Sequence, residues 1–451
     1  MHYVRKICGY STVLGRPLPS PYCDYWCPKI RSSVNLNGLR NSLSYFKSSF
    51  NHQFRSLVDS VVIEALDKFK LPQKIHPWHI NEVLSSDKIK WSHSPGLPWR
   101  WRNFTSKRDV PDTYTKYFCH KIKHGLSVPI HPCAAYARSH LAEEEKLRLV
   151  WGYPAHITFA EGMFAIPLIE SYQRHRTPYA LWFRVNSNHW AQVARSRRGK
   201  WLCLDYSKFD ATVSEYLIRA AFRVIRHQFD FTQYNNGGTP DAIEIDRLWN
   251  WLERYFIETP MCLPNGELYV KRGGVPSGSY FTNLVDTVVN FIVTRSLCRL
   301  TGVKINSELY FGDDALLDVE DADIELMSYY AEEVFGMEIS EKKSSIGVGF
   351  TFLGYENCYG FPYRPTTDYF DHLKMPERSD EDIADFNTRC LMLMYCTFGM
   401  NPRYWIYASK VLGRSSEFRP ISRDQERFLE IFDLAISWRL PTCGELISRL
   451  I

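Results

Sequence analysis

Two short apolar runs end in aspartate, WLCLDY at Trp201–Tyr206 and the arms of ELYFGDDALLDV at Glu308–Val319. Carboxylates this far apart in the chain share a site only if both runs are strands lying side by side. The first run is short enough for a buried strand. After it, Leu217, Ala221, Val224 and Ile225 recur at i, i+4, i+7 and i+8, which predicts a helix. Asp205 then falls at the end of the strand and Asp210 in the loop, where it also reads as an N-terminal cap for a helix containing Glu215 to Phe222. The second run has apolar arms on both sides of Gly312, Asp313 and Asp314, which predicts a hairpin with carboxylates at its tip. An ordinary Gly-Asp turn is the plain alternative.

Between these runs lies KRGGVPSGSYFTN, whose glycines and Pro276 forbid regular structure. A helix follows, with Val285, Val288, Val289 and Ile292 on its apolar face. Thr282, Asp286 and Asn290 recur every four residues and line one polar face.

If Asp205 and the Asp313/Asp314 pair meet, each pair of charges at about 4 Å repels by roughly 4 kcal/mol at an effective dielectric of about 20. Such a cluster is unfavourable without cations and so implies a metal site. Phosphoryl transfer to a nucleotide needs that arrangement, since two divalent ions roughly 3.5–4 Å apart serve the attacking and leaving oxygens. All-oxygen ligation completed by phosphates and water suits Mg2+, with Mn2+ as an alternative.

The charge distribution agrees. Residues 91–200 hold 17 Lys/Arg against 7 Asp/Glu, a net of +10 within a chain of net +5, which leaves −5 elsewhere. A basic region apart from an acidic one fits a polyanion surface beside a cation site, although a solvated basic face gives the same count. Trp99, Trp101 and Phe104 are interleaved with the charges of LPWRWRNFTSKR, which favours nucleic acid because bases stack on aromatic and guanidinium planes. With 451 residues, 45% of them apolar, the chain is long enough for two or three buried cores. No stretch reaches the roughly 18–20 apolar residues of a membrane span, and the first twenty residues lack the apolar core of a secretory signal, so a soluble, intracellular protein is expected. The twelve cysteines have no regular spacing and read as thiols, with a zinc site at Cys23 and Cys27 as the alternative.

DYSKFD, PSGSYFTNLVDTVVN and YFGDD, in that order and with spacings of roughly 70 and 35 residues, resemble the three palm motifs of viral RNA-dependent RNA polymerases. Together with KLRLVWGYP upstream and FLGYEN downstream, they most resemble the polymerases of partitiviruses and related small segmented double-stranded RNA viruses. The resemblance covers about residues 91–370. It implies an α+β right-hand fold of fingers, palm and thumb, with an antiparallel palm sheet flanked by helices. The expected organisation is an N-terminal segment bridging fingers and thumb (1–90), fingers (91–200), palm (201–235), a fingers insertion (236–270), palm again (271–370) and thumb (371–451). Within the last, YWIYASKVL and ERFLEIFDLAISWRL read as amphipathic helices.

By resemblance, Asp205 and Asp313 hold both metal ions with Asp314 assisting, and Lys343, or its neighbour Lys342, protonates the leaving pyrophosphate. Asp210 corresponds to the residue that helps sense the ribose 2′-hydroxyl. Ser277 and Gly278 resemble the flexible loop beside the incoming base pair, followed by Thr282 at the family spacing. A common version of the pattern has asparagine four residues after that threonine. Here the position is Asp286, with Asn290 one turn on, so Asn283, Asp286 and Asn290 all stay open as the partner of Asp210. Lys146 and Arg148 match the basic strand that holds the triphosphate, and Arg138 is assigned to the same RNA-binding element. Ser94, Pro95 and Gly96 resemble a loop that guides the template, and Phe352, Leu353 and Gly354 a hairpin that supports the growing 3′ end.

The implied partners are RNA template and product, ribonucleoside triphosphates and a viral coat protein, with no membrane, in the host cytoplasm within the virion. Two rivals remain open at this point. A reverse transcriptase shares the palm, but the glycine before Asp313, the ribose-sensing signature and the lack of a ribonuclease H segment speak against it. A non-catalytic RNA-binding, capsid-associated protein would use the basic region alone.

Overall fold

The computed structural model describes residues 1–10, 15–413, 417–420, 436 and 438–451. At its centre is a four-stranded antiparallel sheet in the order Ile305–Phe311, Asp314–Val319, Lys200–Leu204, Ser345–Gly347. The two aspartate-ended runs are therefore strands, and they are neighbours: Ala315 pairs with Leu204, Leu317 with Leu202 and Val319 with Lys200. The outer pair is the expected hairpin, with Phe311 opposite Asp314 and the turn at Gly312 and Asp313.

Both faces of this sheet are covered, which explains why WLCL reads as a continuous apolar run rather than an alternating one. Side chains still alternate. Leu202, Leu204 and Leu317 join the larger core, while Trp201, Cys203 and Leu316 join a second core built with Phe350, Tyr369, Leu391 and Tyr404. On the first face the buried helix Thr282–Thr301 packs against Glu215–Arg226, Arg55–Lys68 and Ile324–Phe335. On the second lie Thr366–Lys374, Ile383–Cys396 and Pro402–Leu412, the last coinciding with YWIYASKVL. The expected helix at ERFLEIFDLAISWRL falls largely outside the described residues.

A five-stranded sheet in the order His2–Lys6, Glu267–Val270, Pro260–Cys262, Cys133–Ser139, Leu147–Gly152 carries the basic segment. Residues 236–270 thus add a helix, Ala242–Ile257, and two strands to the sheet that bears Arg148. Residues 29–32 tie this hairpin to the C-terminal helices. Buried Arg31 donates to the carbonyls of Ser139 (2.7 Å) and Met375 (2.9 Å), Ser32 Oγ accepts from Lys146 N–H (2.6 Å), and Lys29 pairs with Asp371 (2.9 Å).

One sequence expectation is corrected here. Asp210 does not cap the helix Glu215–Arg226; Ser214 does, its Oγ accepting from Leu217 N–H at 3.4 Å. Asp210 lies in a separate short helix, Phe209–Thr212, because the chain turns twice between the strand and the longer helix. All twelve cysteines are free, and no group of three His, Cys, Asp or Glu side chains among the described residues gathers around Cys23 and Cys27. No helix among the described residues is long and apolar enough to cross a membrane.

Candidate active site

The register of the central sheet sets the site. Asp205 follows Leu204, the partner of Ala315, and so stands beside Asp314 at the same sheet edge, with Asp313 in the adjoining turn. Each position is fixed by backbone contacts. Asp205 N–H donates to Ser344 Oγ (3.0 Å), and its carbonyl accepts from Ser340 N–H (2.8 Å). Gly312 adopts φ +62, which a side chain disfavours, and a Cβ there would meet Asn283 Nδ2 at 3.0 Å. The helix Thr282–Thr301 grips this turn from behind: Gly312 N–H donates to Thr287 Oγ1 (2.8 Å), and Asn290 Nδ2 donates to the Gly312 carbonyl (3.0 Å).

The acids crowd one another. Burial, then the charges of Asp313 and Asp205, push Asp314 up to about 7. Burial and Asp313 push Asp210 up to about 6, with Arg148 acting in the opposite direction. Burial, Asp210 and Asp313 raise Asp286 well above the ordinary carboxylate range. Asp286 is 4% exposed, and its Oδ1 has no hydrogen-bond partner among the described residues.

The three side chains read as possible partners of Asp210 differ in their contacts. Asn290 is committed to Gly312 and Thr294, and Asn283 Oδ1 accepts from Tyr179 O–H at 2.7 Å. Asp286 is the one whose carboxyl lies in the field of Asp210.

Cations line the opposite side. Lys343 Nζ is 3.1 Å from Asp205 Oδ1, so of the two neighbouring lysines Lys343 is the one brought to the acids. Burial and the charges of Lys343 and Arg148 lower Lys146, while Asp205 and Asp313 act the other way. Arg148 lies directly across the strand pair from Arg138, a like-charge pairing that is unfavourable unless each has an anion. Arg138 has Glu377, 2.6 Å away. No ion pair to Arg148 is found among the described residues, and its influence on Asp210, Asp286 and Asp314 places it over the acids. Arg138 is therefore occupied in joining the hairpin to the 377 segment, a role its sequence context did not suggest.

The remaining motif residues are held by contacts of their own. Ser277 Oγ accepts from Trp151 N–H (3.2 Å), Gly278 abuts the Trp151 carbonyl, and Thr282 Oγ1 donates to the carbonyls of Pro276 (2.7 Å) and Ser279 (2.9 Å). The Pro95 carbonyl accepts from Ala155 N–H (2.8 Å), Gly96 packs on Tyr153, and Ser94 Oγ is 3.2 Å from Tyr136 O–H. Leu353 and Gly354 form the turn between strands Thr351–Phe352 and Tyr355–Cys358, with buried Phe352 in the second core.

The family described as viral RNA-dependent RNA polymerase matches residues 44–393. The chain belongs to that family. It is 30% identical over 217 residues to the RNA-directed RNA polymerase of Cryptosporidium parvum virus 1 (strain KSU-1), covering 45% of this chain and 38% of that one. It is 24% identical over 271 residues to the polymerase of white clover cryptic virus 1, covering 49% and 41%, and 26% identical over 333 residues to that of Atkinsonella hypoxylon virus, covering 62% and 50%. The matches thus span half or less of those relatives' lengths, and they agree with the resemblance to partitivirus polymerases. Among solved structures, the Sicinivirus 3Dpol polymerase superposes with a TM-score of 0.74 at 16% identity, over 96% of this chain and 99% of that one. The polymerase of a human picorbirnavirus gives 0.65 at 16%, over 85% and 75%. These share the right-hand fold, in which the four-stranded sheet is the palm.

Sequence reasoning missed Thr287, Ser344 and Tyr179, which hold the aspartates and Asn283 in place. Thr287 was the most accessible of the three. It follows Asp286 on a helix already read as carrying the polar face, but its contact with Gly312 depends on a hairpin register that composition does not supply.

Proposed function

We propose that this chain synthesises RNA on an RNA template: a terminal ribose 3′-hydroxyl attacks the α-phosphate of a ribonucleoside triphosphate and pyrophosphate leaves. The observation that supports this most is the placing of Asp205, Asp313 and Asp314 on adjacent strand ends, opposite Arg148, for which no ion pair is found among the described residues. Mg2+ suits these residues because it is held by one or two carboxylates and completed by substrate phosphates and water. Asp205 and Asp313 would hold two such ions, with Mn2+ as a substitute. When bound, the ions would offset charge on the attacking and leaving oxygens.

The chain's own groups do the rest. Arg148 and Lys146 hold the triphosphate, the arginine through paired N–H donors and the lysine as a mobile charge. Asp210 and protonated Asp286 form an acceptor and donor pair for the ribose 2′-hydroxyl, the group that distinguishes RNA building blocks from DNA ones. Lys343, already beside Asp205, is placed to give a proton from Nζ to the departing pyrophosphate oxygen. In a virus this reaction serves transcription and genome replication. On the resemblance alone, its setting is the host cytoplasm within or beside a capsid, with coat protein as a partner.

The deciding experiment is incorporation by the purified chain on defined single- and double-stranded RNA, with ribo- or deoxyribonucleotides and with or without Mg2+. Metal-dependent incorporation with strong ribonucleotide preference is expected, and preference for the deoxy form overturns the assignment. Arg148→Ala is expected to raise KM for all four triphosphates by about tenfold or more, since one bidentate phosphate contact is lost. Unchanged KM removes Arg148 from the site.

A further inference from the structure

The helix Ala155–Arg174 is buried along most of its length, and Glu161 stands within it, 1% exposed. A carboxyl in such a place requires partners, and both of its oxygens have one. Oε1 accepts from Ser279 Oγ at 2.7 Å and Oε2 from Tyr280 N–H at 2.9 Å. Ser279 Oγ also accepts from Phe281 N–H at 3.0 Å, so the hydroxyl is held at both ends. Burial pushes Glu161 up to about 8, against hydrogen bonds from Ser279 and Tyr280 and the charge of Lys107. Glutamine has nearly the same shape and keeps one side-chain oxygen to accept such a bond.

The loop thus gripped touches the active site on two sides. Ser277 and Gly278 dock on Trp151, three residues past Arg148 on the same strand. Thr282, bonded to the carbonyls of Pro276 and Ser279, opens the helix that presents Asp286 one turn later. Among the described residues Glu161 has no hydrogen bond or ion pair to Arg148 or Asp286, yet it holds a segment that joins their elements.

We infer that Glu161 is a positioning residue for nucleotide binding: seated on Ser279 and Tyr280, it fixes the 276–280 loop against the Arg148 strand and so sets both the triphosphate and the ribose contacts. The inference rests on the polymerase reading above. Steady-state incorporation by Glu161→Ala, Ser279→Ala and Glu161→Gln, assayed well below their melting midpoints, tests it. The two alanine variants are expected to raise KM for nucleotide about tenfold with kcat within about twofold, because the lost hydrogen bonds affect binding geometry rather than the chemical groups. Their ribo-to-deoxy discrimination is expected to fall by a similar factor, and Glu161→Gln to restore both.

Wild-type KM and discrimination in the alanine variants overturn the inference. So does a fall in kcat at constant KM, or a glutamine variant as defective as alanine. If Glu161→Ala does not fold, Ser279→Ala, which removes a single hydroxyl, decides the matter. A wild-type chain that incorporates no nucleotide sinks the polymerase reading and takes this inference with it, whereas an active wild type with unaffected variants sinks the inference alone.

Discussion

Asp313→Ala is expected to lower nucleotide incorporation by about a thousandfold or more, equivalent to roughly 4 kcal/mol of lost transition-state stabilisation. Asp313 occupies the hairpin turn, exposed at the sheet edge, and its neighbours Asp205 and Asp314 cannot replace it without moving backbone that Ser344 and Thr287 hold fixed. RNA binding, measured by titration in the same buffer, is expected to change by less than about twofold, because phosphate contacts supply most of such affinity and the basic segment is a separate element. The fold should not suffer. Asp313 is among the charges that push Asp314, Asp210 and Asp286 upward, so its removal relieves repulsion and the metal-free variant should melt no lower than wild type. Full activity in this variant means that the acidic edge is not the reaction centre and leaves the basic region as the working surface.

The parts of this site that the sequence revealed are those in which one physical demand dominates. Apolar runs short enough for strands and ending in aspartate read as strands, and their antiparallel pairing brings the acids together. The stretch KRGGVPSGSYFTN could only be a loop, and the helix after it was visible through Val285, Val288, Val289 and Ile292, all of them buried. Where two demands competed, the residue type alone did not decide. Asp210 suits a helix cap as well as a ribose contact, and Ser214 took the cap. Asn290 suits the ribose pair better than an aspartate does, but the turn at Gly312 needed a donor for its carbonyl, and Asn290 lies where it can supply one. Arg138 and Arg148 were read from the sequence as an RNA contact and a triphosphate contact on one basic element. The fold separates them: Arg138 pairs with Glu377, while Arg148, opposite it in the strand pair, acts on the acids. Glu161 was illegible for a simpler reason: a lone carboxyl in an apolar helix has no meaning until the chain folds Ser279 and Tyr280 onto it.

The loop beside Glu161 gives the second large effect, through Gly278→Ala. A Cβ at Gly278 would lie 1.7 Å from the Trp151 carbonyl oxygen and 2.9 Å from its carbon, so the clash is with backbone that has no rotamer by which to yield. Either the loop or the strand must retreat by an ångström or more. Retreat of the loop breaks the Ser277–Trp151 bond and displaces Thr282, and with it Asp286. Retreat of the strand moves Arg148 instead. Because a misplacement of about 1 Å costs on the order of a hundredfold in rate, kcat/KM for incorporation is expected to fall about that far. Ser277→Ala provides the comparison. It removes the same hydrogen bond without adding volume, and a loss within about tenfold is expected from one neutral bond. A Gly278→Ala enzyme that matches Ser277→Ala would show that the loop does not sit on Trp151 during turnover, and that nucleotide selection is organised from the acidic hairpin alone.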